Sequence, residues 1–130
     1  MKTEYDAARK LYQPKISEEN VLREIVDRLW LQGKIKVWRI RERIPDNRKR
    51  WQQLSTPGIP DLMGWFVRTD WTPSPAIPLF IEVKRPGGKR RLAQECFIAE
   101  ASADGCCAFF AESFHDCVVE LKNYGINLSE

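Results

Sequence analysis

Residues 79–84 read Leu-Phe-Ile-Glu-Val-Lys, a β-forming run that carries a glutamate and a lysine two positions apart. Charged side chains are rare inside such a run unless they have a partner or a task. Residues two apart on a strand point to the same face. Glu82 and Lys84 therefore project together, while Ile81 and Val83 face the opposite layer. Upstream, Gly58-Ile59-Pro60-Asp61-Leu62 sets a third ionisable group, Asp61, at the entry to another apolar run, Leu62 to Arg68. Any fold for this chain has to bury one side of these strands and give the other side a use for its charges.

An Asp, a Glu and a Lys converging on one spot suit the hydrolysis of a phosphodiester. That reaction needs a water that loses a proton, compensation of charge on the phosphate oxygens, and a stabilised leaving oxygen. Mg²⁺ or Mn²⁺ serves all three needs, and such hard ions take oxygen ligands. Asp61 and Glu82 are the candidate carboxylate ligands, with the backbone carbonyl of Val83 beside them. Lys84 is placed to orient or deprotonate the attacking water, or to offset phosphate charge. Close to a metal and two carboxylates a lysine keeps its proton at neutral pH, so the role of literal general base is the weaker of these. The bland alternative is a salt bridge, Glu82 with Lys84 or Asp61 with an arginine.

Net charge is only +3 over 130 residues, but the cations are unevenly distributed. Lys34, Lys36, Arg39, Arg41, Arg43, Arg48, Lys49 and Arg50 are opposed only by Glu42 and Asp46, and a second block (Lys84, Arg85, Lys89, Arg90, Arg91) contains no acid. Two basic blocks flanking a carboxylate cluster point to a phosphate backbone as partner. Arg39, Arg41, Arg43, Arg48, Lys49, Arg50, Arg85 and Lys89 are the candidate nucleic-acid contacts. Trp38 and Trp51 bracket the segment from Arg39 to Arg50 and are candidates to stack on a distorted base step, although such tryptophans more often belong to a core. No helix-turn-helix or zinc finger is legible, so recognition of shape and backbone is expected rather than of sequence.

The length fits one domain, and 43% apolar with 30% charged residues is ordinary for a globular chain. No apolar run approaches the roughly 18–20 residues needed to span a bilayer. The first residues lack an apolar signal region, so a cytoplasmic location is expected, bacterial or that of a host if the gene is viral. Cys96, Cys106, Cys107 and Cys117 form no zinc spacing and are expected to be small buried residues. His115 has no partner at metal-ligand spacing.

Residues 1–16 are polar and broken by Pro14, which suggests an N-terminal arm ahead of one domain over residues 17–130. Ser17 is a good N-cap for a helix to about Gln32, with Val21, Leu22, Ile25, Val26 and Leu29 as its apolar stripe and Gly33 as its stop. Ile35 to Ile40 reads as a strand, 41–60 as a long loop, and Leu62 to Arg68 as a second strand. Pro73, Pro75 and Pro78 mark a hairpin-like connection to a third strand, Leu79 to Lys84. Leu92 to about Ala103 is a helix, Cys106 to Ala111 a fourth strand, and Phe114 to about Tyr124 a last helix capped by Ser113. The result is an α/β domain of order αβββαβ with a C-terminal helix.

Pro-Asp followed by Glu-X-Lys after such a lead-in resembles the PD-(D/E)xK nuclease superfamily with its restriction-endonuclease-like core. The longer string GIPDL, then FIEVKRPGG, then a glutamine opening the next helix, is similar to the VRR-NUC domain. The resemblance runs from about Ser17 to Phe110. It implies that an acidic residue of the first helix joins the metal site, which points to Glu18, with Glu19 as a competitor one position round the helix. It also implies that Gln94 helps to place water, the lysine or DNA. Arg90-Arg91-Leu92-Ala93 stands where relatives often have a Ser/Thr-Pro helix start, and the stretch from Trp71 to Pro78 is an insertion.

Stand-alone domains of this type resemble structure-selective endonucleases, some acting on four-way junctions as homodimers. A Holliday-junction resolvase is therefore the leading expectation, with DNA as partner and a two-fold dimer supplying the second active site. Val118, Val119 and Leu121 of the last helix, with Trp65 or Trp71, are candidates for that interface. Two other readings stay open: a nuclease for flaps or plain duplex, and a binding module whose acidic cluster is structural.

Overall fold

The computed structural model describes residues 16–40, 58–68 and 75–130. The expected arm and most of the 41–60 loop lie outside these residues, as do Arg41, Arg43, Arg48, Lys49, Arg50, Trp51 and Trp71. Seven elements follow in the expected order: α1 (Glu18–Leu31), β1 (Ile35–Arg39), β2 (Leu62–Val67), β3 (Ala76–Val83), α2 (Leu92–Ala103), β4 (Cys107–Ala111) and α3 (Phe114–Lys122). The strands form one sheet in the order β1-β2-β3-β4, antiparallel across the first three and parallel between β3 and β4.

Helix α1 begins where Ser17 leaves the extended region and its Oγ accepts the Asn20 N–H at 3.1 Å. Its buried stripe is Val21, Leu22, Ile25 and Leu29. At roughly 1.5–3 kcal/mol for each such side chain, that stripe stabilises the fold by ~6–12 kcal/mol as an upper figure. It packs with α3 on the sheet face that carries Ile35, Val37, Leu62, Phe66, Leu79, Ile81, Val83, Cys107 and Phe109. The chain after α3 returns to this layer. Ile126 is buried, and Gln32 and Ser129 exchange hydrogen bonds of 2.9 and 3.2 Å, tying the C-terminal segment to the end of α1.

The other sheet face is covered by α2, but only over β3 and β4. Phe97 meets Phe80 edge-on at 5.3 Å, and Ser102 Oγ donates to the Ala108 carbonyl at 3.2 Å. No described helix covers β1 and β2 on this side, and Trp38, Met63, Trp65 and Val67 are exposed there. Gly64, on the buried face, lets β1 come close: a Cβ at this position would lie 1.7 Å from the Lys36 carbonyl oxygen.

Several expectations need correction. Pro78 does not belong to a connection, because β3 already runs from Ala76 and pairs Pro78 with Trp65. The Arg68 N–H donates to the Pro75 carbonyl. Alternation along the ladder then makes Trp65/Pro78 a pair that exchanges no hydrogen bonds. The proline nitrogen points instead toward the β4 side, where pairing starts only at Leu79, so its missing N–H costs the sheet nothing. Leu121 is fully buried in the core and Val118 packs against that core, so of the suggested interface the exposed described members are Val119 and Trp65. Cys107 and Cys117 are buried as expected, but Cys106 is half-buried and Cys96 is exposed on α2, a helix with no buried residue.

Candidate metal and catalytic site

Asp61 and Glu82 meet because their strands run side by side. Leu62 pairs with Ile81, so the next step outward sets Asp61 opposite Glu82. Both side chains lie on the face away from α1. Lys84 is one residue beyond β3, yet its N–H donates to the Ala111 carbonyl at 2.9 Å. That bond continues the strand geometry and keeps Lys84 on the side of Glu82. The Lys84 ammonium lies 3.6 Å from Glu82 Oε1.

Backbone donors fix Asp61. Its carboxylate accepts the Val83 N–H at 2.9 Å, and its own carbonyl accepts the Ile40 N–H at 2.9 Å. The preceding turn needs Gly58, which sits at φ +82°. A Cβ there would lie 2.2 Å from the Ala93 carbonyl oxygen and 3.0 Å from the Gln94 nitrogen. This close approach seats the Gly-Ile-Pro-Asp segment on the first turn of α2, where Gln94 stands.

Gln94 has one defined orientation. Its Oε1 accepts the Arg91 N–H at 3.1 Å, which turns its amide nitrogen toward Glu82 Oε1 at 2.7 Å. Arg91 thus begins α2 by donating its N–H to the side chain three positions later, so no Ser/Thr-Pro start is required.

Glu18, at the start of α1, completes the group. One carboxylate oxygen from each of Glu18, Asp61 and Glu82 lies within 4.8 Å of the others. Glu19 is elsewhere. It accepts two 2.9 Å hydrogen bonds from Arg39 and has Arg23 Nε at 3.4 Å. The hydrogen bond from Arg39 is the main cause holding the Glu19 carboxyl below the usual range. Of the two first-turn acids, the geometry therefore brings Glu18 to Asp61 and Glu82 and ties Glu19 to β1.

The cluster is electrostatically unbalanced. Glu82 is 2% exposed and Lys84 is 6% exposed. Glu82 Oε2 is buried and has no hydrogen-bond partner among the described residues. Burial, followed by the Asp61 charge, pushes the Glu82 carboxyl up to about 8, against a pull downward from Lys84. Partial burial and the same Asp61 charge raise Glu18 as well. A buried charged group without enough partners normally takes up a proton. A hard divalent cation would supply the missing partner with the oxygen ligands it prefers, so the residues present fit Mg²⁺ or Mn²⁺.

Of the basic residues expected to contact nucleic acid, Arg39, Arg85 and Lys89 are described and exposed. Arg39 is engaged by Glu19. Arg85 and Arg91 both lower the Glu18 carboxyl and so lie within its electrostatic reach. Arg90 stacks its guanidinium 4.2 Å from the centre of the Phe110 ring. The run of basic residues did not reveal that Arg91 serves the helix start and Arg90 an aromatic ring. The Gln94 amide bond to Glu82 was likewise not legible, although the resemblance had singled out that glutamine.

A mixed four-stranded sheet flanked by helices, with an Asp and a Glu on adjacent strands and a lysine two residues past the glutamate, defines the restriction-endonuclease-like class of PD-(D/E)xK nucleases. The chain belongs to one family of that class: a model of the VRR-NUC domain matches residues 7–114. No match was found among curated proteins or solved structures. The chain is thus a nuclease domain.

Proposed function

We propose that this protein is a metal-dependent, structure-selective DNA endonuclease that resolves Holliday junctions as a homodimer. The single observation that carries the catalytic part is Glu82, a buried carboxylate with one oxygen unpartnered, set between two further carboxylates and a buried lysine. A structural Glu82–Lys84 salt bridge does not need two further acids gathered within 4.8 Å of Glu82.

Glu18, Asp61 and Glu82 would hold the cation, with the Val83 carbonyl as a further oxygen. Strand geometry sends that carbonyl out on the same side as the Val83 N–H, the side of Asp61. The bound ion supplies Lewis acidity toward the phosphate and lowers the pKa of water. Asp61 is held by the Val83 N–H and Glu82 by the Gln94 amide, so neither carboxylate has to reorganise as charge develops. Lys84 orients the attacking water or offsets charge on a non-bridging phosphate oxygen, and its ammonium beside Glu82 is better suited to that than to taking a proton. Arg85 and Lys89 extend from the end of β3 toward the flanking phosphates.

The junction preference rests on resemblance to stand-alone domains of this family, and the homodimer follows from the chemistry: a symmetric pair of cuts needs two sites, and one copy carries one. The test offers labelled four-way junction, flap, duplex and single strand to the purified protein with Mg²⁺, Mn²⁺ or EDTA. Junction cleavage is expected with either metal, none with EDTA, and a loss of at least a hundredfold in Lys84→Ala. Cleavage that survives EDTA, or is unchanged in Lys84→Ala, would falsify the mechanism. Equal cutting of duplex and junction removes the resolvase assignment and leaves the nuclease. Salt-sensitive binding without cleavage of any substrate identifies a binding module instead.

A further inference from the structure

The sheet face that carries Asp61 and Glu82 does not end at the carboxylates. Along β2 the next residues on the same face are Met63 and Trp65, and across β1 it presents Trp38 opposite Met63 and Lys36 opposite Trp65. At about 3.3 Å per residue, Trp65 stands roughly 13 Å from Asp61 along the strand. Trp38 and Trp65 lean on each other with ring centres 4.8 Å apart, and Trp30 meets Trp38 edge-on at 6.2 Å. The Trp30 indole N–H donates to the Val37 carbonyl at 2.9 Å, which fixes that ring at the sheet edge. The three rings are 42%, 44% and 46% exposed.

We infer that Trp38 and Trp65 form a stacking platform for unpaired nucleobases of the strand that enters the carboxylate site. This rests on the nucleic-acid-cleaving reading above and adds what the site prefers beside the cut phosphate: bases unpaired at the branch point. Three features select this occupant. The platform is continuous with the site on one sheet face, so nucleotides flanking the cut phosphate reach it without crossing an edge. Among the described residues, Lys36 is the only charged side chain on that strip beyond the carboxylates, and its ammonium lies 5.1 Å from the centre of the Trp30 ring. A cation beside open aromatic rings complements a backbone that carries bases. At roughly 250 Å² per tryptophan, the open surface of the three tryptophans is on the order of 300 Å², and with Met63 and Val67 added it stays under about 500 Å², short of the ~800 Å² per partner of a stable dimer. A second copy is therefore the poorer fit.

The test measures binding in EDTA, so that nothing is cut, to a forked duplex with unpaired arms and to a fully paired duplex of equal length. Wild-type protein should prefer the fork. Trp38→Ala and Trp65→Ala should each weaken fork binding about tenfold, as loss of one base stack does, and leave duplex binding within about twofold. Trp38→Phe and Trp65→Phe should retain most of the fork affinity. Equal wild-type affinity for fork and duplex, or alanine variants that hold the fork as tightly as wild type, overturns the platform. A drop in sedimenting mass from dimer to monomer in those variants also overturns it, assigning the face to a second copy. If the platform fails while metal-dependent cleavage persists, the nuclease reading stands; if no substrate is cut, both fall.

Discussion

Glu82→Gln should make the metal-free protein more stable at neutral and alkaline pH while abolishing cleavage. The folded-state pKa of Glu82 is raised from 4.5 to about 8 by burial and by the Asp61 charge. A carboxyl whose folded pKa is raised gives stability that is fully present below its unfolded value and is lost as pH rises through the folded one. The folded state binds the extra proton throughout that window, so stability falls with increasing pH. At about 1.4 kcal/mol per pH unit, the full loss above pH 8 is ~5 kcal/mol, and about 3 kcal/mol is already lost at pH 7. These are upper figures, because Glu18 is exposed and water reaching the cluster from that side softens the burial.

The glutamine keeps an oxygen for the Gln94 amide and cannot ionise, so its contribution stays flat with pH. Urea unfolding in EDTA from pH 5 to pH 9, followed by circular dichroism, should show a declining wild-type curve and a flatter variant curve that already diverge from pH 5 and separate by about 2 kcal/mol at pH 6. In a thermal scan the gap at pH 8 should be at most about 13–22 °C, taking ~4.4 kcal/mol at 3–5 °C per kcal/mol for a domain of this size. Adding Mn²⁺ or Mg²⁺ at pH 8 should restore much of the wild-type loss and do far less for the variant. Parallel pH curves for the two proteins, or equal stabilisation of both by the metal, would refute the claim that a cation relieves the burial of Glu82.

The two first-turn acids should separate cleanly: Glu18→Ala lowers cleavage and metal-induced stabilisation at least tenfold in apparent affinity, whereas Glu19→Ala costs under about 1 kcal/mol in unfolding experiments, as an exposed pair does, and keeps the metal response. Gly58→Ala combines a left-handed backbone with a Cβ 2.2 Å from the Ala93 carbonyl oxygen. It should destabilise by about 1–3 kcal/mol in urea unfolding and lower kcat more than KM by shifting Gln94. Thiol labelling under native conditions should modify Cys96 first. Burial pushes the Cys107 thiol up to about 12 and the Cys117 thiol higher still, so both should react only on unfolding.

Where local chemistry decides an element, the sequence was sufficient. Ser17 and Gly33 bound α1, and Ser113 starts α3, because caps act within one turn. The Pro78 error shows the opposite case: whether a proline breaks a strand depends on which way its nitrogen points, and that is set by the neighbouring strand. Leu62-Met63-Gly64-Trp65-Phe66-Val67 is apolar on both faces, a pattern that fits a strand covered on both sides equally well. Its alternating exposure appears only once α2 is seen to stop short of β2. Asp61, Glu82 and Lys84 were visible as charges out of place, whereas the pairing of Arg39, a candidate nucleic-acid contact, with Glu19 was not legible because the two lie twenty positions apart, across a helix.

The type of donor that holds each acid distinguishes the site from the scaffold. Glu19 is held by two guanidinium hydrogen bonds, which orient it and cancel its charge in one stroke. Asp61 is oriented by the Val83 backbone N–H and Glu82 by the Gln94 amide. These neutral donors fix position without cancelling charge, and the Lys84 ammonium stands 3.6 Å from Glu82 Oε1. A fold that merely needed these carboxylates as struts would gain more from arginines, as it does at Glu19. Rigid carboxylates with charge to spare are what a cation site needs before the cation arrives, and the raised pKa values of Glu18 and Glu82 record the cost of keeping it so.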